Sequence, residues 1–256
     1  MKISLGEKDK IAKLIMVLKG ASEMNEIISI RCMPDKFYLQ VMDKGLCGIV
    51  ESSIIKDWFD EYEGSGDMYI NANTLVKVMD CWSPGYIITI TENEERLIIE
   101  FNGNKMISKR FKIIKLQVNS ELFDIPEKEY DIDIVLSSDG FKDIIDELKL
   151  FDTTLAVSCD MNGIIMKTSG GEGSGSIKIK DDDILEYAVS LNEGDTFKQN
   201  LDILKISNCC NINKLNKEVR VHFSDDQPLK IHYSLDSPDY NGESSYIRFF
   251  IAPKIL

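Results

Sequence analysis

The chain is poor in the side chains that catalysis usually recruits. Two histidines stand in 256 residues, His222 and His232, each inside an alternating segment that reads as its own strand. No serine or cysteine is spaced to share a proton with either, and no nucleotide fingerprint occurs. Six cysteines (32, 47, 81, 159, 209 and 210) sit in apolar runs without a Cys-x-x-Cys pair, so they read as buried free thiols and no metal is expected. The run Gly170-Gly171-Glu172-Gly173-Ser174-Gly175 lacks the Gly-Lys-Ser/Thr and the helix that a phosphate loop needs. The strand pattern Ile177-Lys178-Ile179 follows it, so a flexible hairpin loop is expected. Asp181-Asp182-Asp183 reads as a solvated acidic turn. The enzyme rival is a hydrolase using clustered carboxylates, yet no acidic residue is flanked in a way that singles it out. The pattern favours binding over catalysis, with no cofactor.

Charge gives a second clue. The formal net charge is −13, and a protein that grips phosphates does so with lysine and arginine, so the sum argues against nucleic acid. The distribution argues otherwise. Four segments with apolar residues at three- and four-residue spacing read as helices, at about 8–20, 72–81, 139–150 and 199–208. Together they hold nine lysines, Lys198 included, against seven acidic residues, so they are basic within an acidic body. The segment at 139–150 is the exception in tone, with Asp143, Asp146 and Glu147. The 43% hydrophobic and 29% charged content, with no uncharged run long enough for a bilayer and a charged start at Met1-Lys2, leads us to expect an intracellular globular protein that no membrane holds.

These helices are positioned by a scaffold that repeats. Ile11, Leu14, Ile15 and Leu18 recur as Phe141, Ile144, Ile145 and Leu148, and Ile30-Arg31-Cys32…Leu39 recurs as Val157-Ser158-Cys159…Met166. Ile70, Asn73, Val76 and Met79 match Phe197, Asn200, Ile203 and Ile206, while Leu97, Ile99 and Phe101 match Leu229, Ile231 and Tyr233. Four matches in one order imply two similar α+β domains of antiparallel sheets with two short helices each, at 1–117 and 132–256. A connector at 118–131 joins them. Pro126 bars helical geometry at Ile125, and apolar Leu122, Phe123 and Ile125 in such a linker suggest that something docks there.

Two strands are basic. Lys109-Arg110-Phe111-Lys112-Ile113-Ile114-Lys115-Leu116 and Gly175-Ser176-Ile177-Lys178-Ile179-Lys180 both alternate charge with apolar residues. Lysine commonly guards a sheet edge. The alternative is that the two edges pair between subunits, head to tail, which closes into a ring when the rotation permits.

At this point the residues resemble a known family. Leu39-Gln40-Val41-Met42-Asp43, the connector Leu122-Phe123-Asp124-Ile125-Pro126-Glu127-Lys128-Glu129-Tyr130 and the end Tyr246-Ile247-Arg248-Phe249-Phe250-Ile251-Ala252-Pro253-Lys254-Ile255 are similar to the proliferating cell nuclear antigen family of DNA sliding clamps. The resemblance implies a homotrimeric ring that encircles duplex DNA without reading its sequence, and a nuclear location. It implies tethering of DNA polymerase and other proteins through short peptide motifs, and placement on DNA by a clamp loader. It implies DNA-facing Lys13, Lys19, Lys77, Lys142, Lys149 and Lys205, and a subunit interface at Lys109, Arg110, Ile113, Ile114, Leu116, Ile177 and Ile179. The partner-peptide pocket carried over by position is Met42, Leu46, Cys47, Ile49, Phe123, Ile125, Pro126, Pro228, Phe250, Ala252, Pro253 and Ile255. The family's modifiable lysine falls at Met161, so ubiquitin or SUMO attachment there is not expected. The family's acidic tail is not matched before Leu256. The alternatives are a divergent subunit of a heterotrimeric checkpoint clamp and a monomeric viral processivity factor.

Overall fold

Alternating apolar and polar residues place every second side chain of a strand on one face, and most of this chain is built that way. The computed structural model describes all residues except 104–106, 119–121, 127, 182–183, 226, 238–243 and 256. Asp182 and Asp183 of the acidic turn, and parts of the connector, lie outside the described residues. The chain forms two compact units, Met1–Lys44 with Ile49–Phe123 and Ser234–Ile247, and Gly45–Gly48 with Asp124–Tyr233 and Arg248–Leu256.

In the first unit, β5 (Glu61–Glu63), β1 (Lys2–Leu5), β7 (Tyr86–Glu92), β8 (Arg96–Gly103) and β9 (Lys109–Ile114) lie side by side in that order. A second series runs β4 (Gly48–Ile55), β3 (Lys36–Met42), β2 (Ile27–Cys32), β6 (Gly66–Asn71). Helices α1 (Lys8–Ser22) and α2 (Ala72–Met79) pack together, burying Ile11, Leu14, Val17 and Leu18 from one and Ala72, Leu75 and Met79 from the other. The second unit repeats the plan. Strands β14 (Glu186–Val189), β10 (Ile132–Ser137), β16 (Glu218–Phe223), β17 (Leu229–Ser234) and β18 (Tyr246–Ile251) form one series. The other is β13 (Gly173–Lys180), β12 (Gly163–Gly170), β11 (Thr154–Asp160), β15 (Phe197–Asp202). Helices α3 (Ser138–Leu148) and α4 (Ile203–Cys210) pack together as α1 and α2 do. The fold is thus α+β, with two similar sheet-rich halves bearing two helices each.

The expected repeat holds in three of its four matches and shifts in the fourth. Residues 199–202 are strand, so the helix expected at about 199–208 begins at Ile203 and Lys198 belongs to β15. Phe197, Leu201 and Leu204 have the four- and three-residue spacing of a helix face, but Phe197 and Leu201 are buried strand positions and Asp202 ends the strand by capping the helix. Its carboxylate accepts from the Leu204 amide at 3.0 Å, as Asn71 Oδ1 accepts from the Thr74 amide at 2.9 Å. The true equivalents are Ala72, Leu75 and Met79 with Ile203, Ile206 and Cys210, all buried. The glycine run forms the expected hairpin, but with a tighter loop: two strands meet at a turn of Gly171-Glu172, and Gly173 and Gly175 lie under the Phe151 ring, where an added Cβ at Gly175 would meet that ring at 3.0 Å.

Each unit also repeats a polar device. The Tyr62 hydroxyl lies 2.9 Å from the Met33 carbonyl and 2.5 Å from that of Lys36, sharing one proton across the β2–β3 turn. The Tyr187 hydroxyl bridges Asp160 and Gly163 across the β11–β12 turn at 2.5 and 2.9 Å. Burial pushes both phenols well above their ordinary pKa, so each stays a donor.

Candidate functional site

The helices position the lysines first. Lys13 is half-buried on α1 and its Nζ donates to the Leu235 carbonyl. Lys19, in the last turn of α1, reaches Asp80 beyond the end of α2 at 2.8 Å, and both side chains are about half exposed. Lys77 is exposed in the last turn of α2, where a cation suits the helix dipole. The α3 lysines differ: Lys142 and Lys149 both grasp Asp146, at 2.6 and 2.5 Å, and Lys149 also donates to Ser207 of α4 at 3.0 Å. The hydrogen bond from Lys142, then that from Lys149, holds the Asp146 carboxyl below its usual range, and Asp146 raises Lys142 in return. Lys205 is half-buried on α4. Of the acids noted in the sequence, Asp146 thus pairs with both neighbouring lysines of its own segment, while Lys77 on α2 stays exposed.

The edges come next. On β9, Ile113 is buried in its own sheet, whereas Ile114 is 64% exposed. Arg110 meets Glu100 on the neighbouring strand at 3.3 Å, and Lys109 donates to the Cys81 carbonyl at 2.6 Å. After β9 the chain turns back, and the Leu116 amide bonds the Tyr69 carbonyl at 2.7 Å on the outer side of β6. Along β13, half-buried Ile177 and Ile179 alternate with exposed Ser176, Lys178 and Lys180. Both β9 and β13 end their series, with no strand on the outer side among the described residues. Leu150 and Phe151 are exposed just past α3, Phe151 lies beside β13, and neither was anticipated. The glycines beneath Phe151 were the signal that something packs close to this strand.

The expected pocket residues fall in both units. In the first, the Met42 carbonyl accepts from Asn25 at 3.0 Å and Ile49 is half-buried on β4. Phe123 is 49% exposed, but its backbone is clasped: its amide donates to Gln40 Oε1 at 2.8 Å, and Gln40 Nε2 donates to its carbonyl at 2.9 Å. A side-chain amide here imitates one rung of a strand pair. In the second unit the Ala252 amide bonds the Cys47 carbonyl at 2.8 Å, and Tyr130 donates to the Pro228 carbonyl at 3.3 Å. Ile125 is half-buried, Pro126, Ala252 and Pro253 are exposed, and Ile255 is fully exposed. Phe250 is only 8% exposed, so its ring is mainly a core group. Leu46 is 75% exposed and holds φ at 55°, the only non-glycine in the left-handed region among the described residues.

The thiols correct one expectation. All six are free, but Cys47 and Cys81 are exposed, because one ends a hairpin loop and the other follows the end of α2. Burial drives Cys32, Cys159 and Cys210 up to about 12, so those three stay protonated and unreactive. Among the described residues no group of three or more His, Cys, Asp or Glu is placed to hold a metal ion. No helix among them is long and apolar enough to cross a membrane.

Comparison with known proteins gives the family. Residues 124–254 match a family described as "Proliferating cell nuclear antigen, C-terminal domain". Proliferating cell nuclear antigen 2 of Drosophila melanogaster is 23% identical over 254 residues, 96% of each chain. Proliferating cell nuclear antigen of Chaetomium thermophilum is 23% identical over 248 residues, 93% of each. With the duplicated sheets and helices in place, and more than half of its length matched by that family, the chain belongs to the proliferating cell nuclear antigen family of DNA sliding clamps.

Proposed function

We propose that three copies of this chain join β9 to β13 of the next copy, closing a ring around duplex DNA that tethers replication and repair proteins to it. One observation carries the reading: each unit ends one of its series in a basic strand, β9 in the first and β13 in the second, with no strand on the outer side among the described residues, and a head-to-tail contact between two different edges closes when the rotation permits. Ile114, Ile177 and Ile179, with Lys109, Arg110 and Leu116, would supply that contact, and exposed Leu150 and Phe151 would widen it. The boundaries proposed for the parts are 1–117, 118–131 and 132–256.

The DNA-facing set is Lys13, Lys19, Lys77, Lys142, Lys149 and Lys205. Each chain carries −13, so the ring holds DNA by enclosing it rather than by gripping phosphates, and weak contacts leave it free to slide. Exposed Leu46, Phe123 and Ile255, with Ile125, Pro126, Ala252 and Pro253, are the contacts we assign to partner peptides with apolar anchors. A leucine kept exposed in a left-handed conformation is expensive for the fold, which fits a contact residue. Each buried anchor contributes about 1.5–3 kcal/mol before ordering losses, so partners bind modestly and exchange. The assembly works in the nucleus with a clamp loader, as in the family.

The deciding experiment combines light scattering with retention on DNA. The expected mass is three times the 29.1 kDa of one chain. The loaded protein should stay on a closed DNA circle at high salt and leave once the circle is cut. A lone chain at every concentration, or release that ignores DNA topology, overturns the ring.

A further inference from the structure

The two units differ most on one face of their four-stranded series. In the first unit the charged and amide groups of that face are paired within the unit. Gln40 clasps the backbone of Phe123 in the connector, and Arg31 on β2 pairs with Asp67 on β6 at 3.4 Å. The repeat puts Lys167 where Gln40 stands, Ser158 where Arg31 stands and Lys198 where Asp67 stands. The route into the face is kept: the Lys254 amide bonds the Asn200 carbonyl at 2.7 Å, as the Leu116 amide bonds that of Tyr69 at 2.7 Å. Between these lysines lies an open groove of about 470 Å³, floored by Ala156 and Ser158 and reached by Lys254 and Pro253. Lys254 Nζ is spent on Thr154 at 3.1 Å, but Lys167 and Lys198 are exposed and pair with no carboxylate among the described residues.

We propose that this groove on β11, β12 and β15 binds an extended acidic peptide segment of a partner protein. In the first unit the equivalent face holds main-chain groups, those of Phe123 through Gln40 and the Leu116 amide through Tyr69, so the repeat suits an occupant that offers its backbone. The two unpaired lysines, in a chain of net charge −13, select for carboxylates. Asp225 on the rim and Asp160 and Asp202 at the ends of β11 and β15 confine the favourable stretch to the neighbourhood of Lys167 and Lys198, which suits a short segment whose carboxylates can be spaced to meet them better than a continuous phosphate backbone. The groove shares Pro253 with the peptide site above but is otherwise lined by different residues, and it does not depend on ring closure.

The probe is fluorescein-labelled hexaglutamate, titrated by anisotropy into the full chain at low salt. Saturable binding is expected, weakened at least tenfold in Lys167→Glu/Lys198→Glu and in the milder Lys167→Gln/Lys198→Gln, and unchanged in Lys56→Glu on the first unit. Circular dichroism melts of all variants check that they fold. No binding to the parent chain, or equal binding to the double variants, overturns the proposal. Tighter binding of hexathymidylate, lost in the same variants, also overturns it and assigns the groove to nucleic acid.

Discussion

Strands β4 and β13 hold the same place in the two units, yet their outer edges differ. Along β4, Ser52 donates to the Tyr246 carbonyl at 2.7 Å and the Ile55 amide to Ser245 Oγ at 3.3 Å, both within the first unit. Ser52 is fully buried there, and all but two of the eight β4 residues are buried. Strand β13 has no such neighbour among the described residues, and its side chains alternate between half-buried and exposed. The same strand is thus interior in one repeat and rim in the other. Duplicating an open unit covers one such edge from within the chain and leaves its counterpart, like β9, without a strand on its outer side among the described residues.

The sharpest way to break this comparison is Ile114→Asp. It puts a charge on the exposed side of β9 and should abolish the trimer by light scattering while the melting temperature of the single chain barely moves. The matching change on the covered edge, Ser52→Ala, should do the opposite. It removes a buried donor from the Tyr246 carbonyl, lowering stability by about 1–3 kcal/mol in denaturant titration with assembly intact. Trimers that survive the first change would show that β9 is not the seam.

Next in size is Gln40→Ala, which deletes both bonds to Phe123. The connector should open locally, with amide exchange at Phe123 about tenfold faster or more, and anchored peptides should bind more weakly. Unchanged exchange would mean the clasp is incidental.

A smaller effect separates two equivalent strand pairs by pH. Where the first unit pairs Glu100 with Arg110, the second sets His232 against Arg248, whose Nε donates to the imidazole Nδ1 at 3.3 Å. That bond needs an unprotonated nitrogen, and burial, then the Arg248 charge, pushes His232 down to about 3. The unfolded chain takes up this proton below about pH 6.5 and the folded chain does not. Stability is therefore lost as pH falls from about 6.5 towards 3, by up to about 1.4 kcal/mol per unit. His232→Gln, which can still accept from Arg248, should flatten that limb in melts taken from pH 6.5 to 4. An unchanged slope would exonerate His232.

The smallest expected effect contrasts the helices. Lys77→Glu on exposed α2 should shorten retention on circular DNA roughly two- to fivefold at low salt, whereas Lys142→Glu, whose lysine already serves Asp146, should do less. Equal effects would erase the distinction between the helix pairs.

Much of the scaffold was legible because buried strands leave a period of two. Leu97, Ile99 and Phe101, and their counterparts Leu229, Ile231 and Tyr233, are buried as their alternation requires. The reading failed where two periods overlap, at Phe197 and Leu201, because a separation of four residues satisfies both a strand face and a helix face. It failed again at Gly173 and Gly175, whose role depends on Phe151, a contact that no local pattern reveals. Of the candidate surfaces, the sequence exposed the basic strands and the apolar connector. It could not show that Ile113 and Phe250 turn inward while Ile114 and Leu46 turn out, since that depends on which side of each strand meets the core.

Tyr62 and Tyr187 speak to how the molecule arose. Each closes the matching turn of its own half, with a hydroxyl bound to two carbonyls, although the flanking residues share little. Such a latch is most economically an inheritance from an ancestor half this length, fixed before the gene doubled. The exchange of Glu100 for His232 and of Gln40 for Lys167 would then be later divergence, acquired once the two copies had separate work to do.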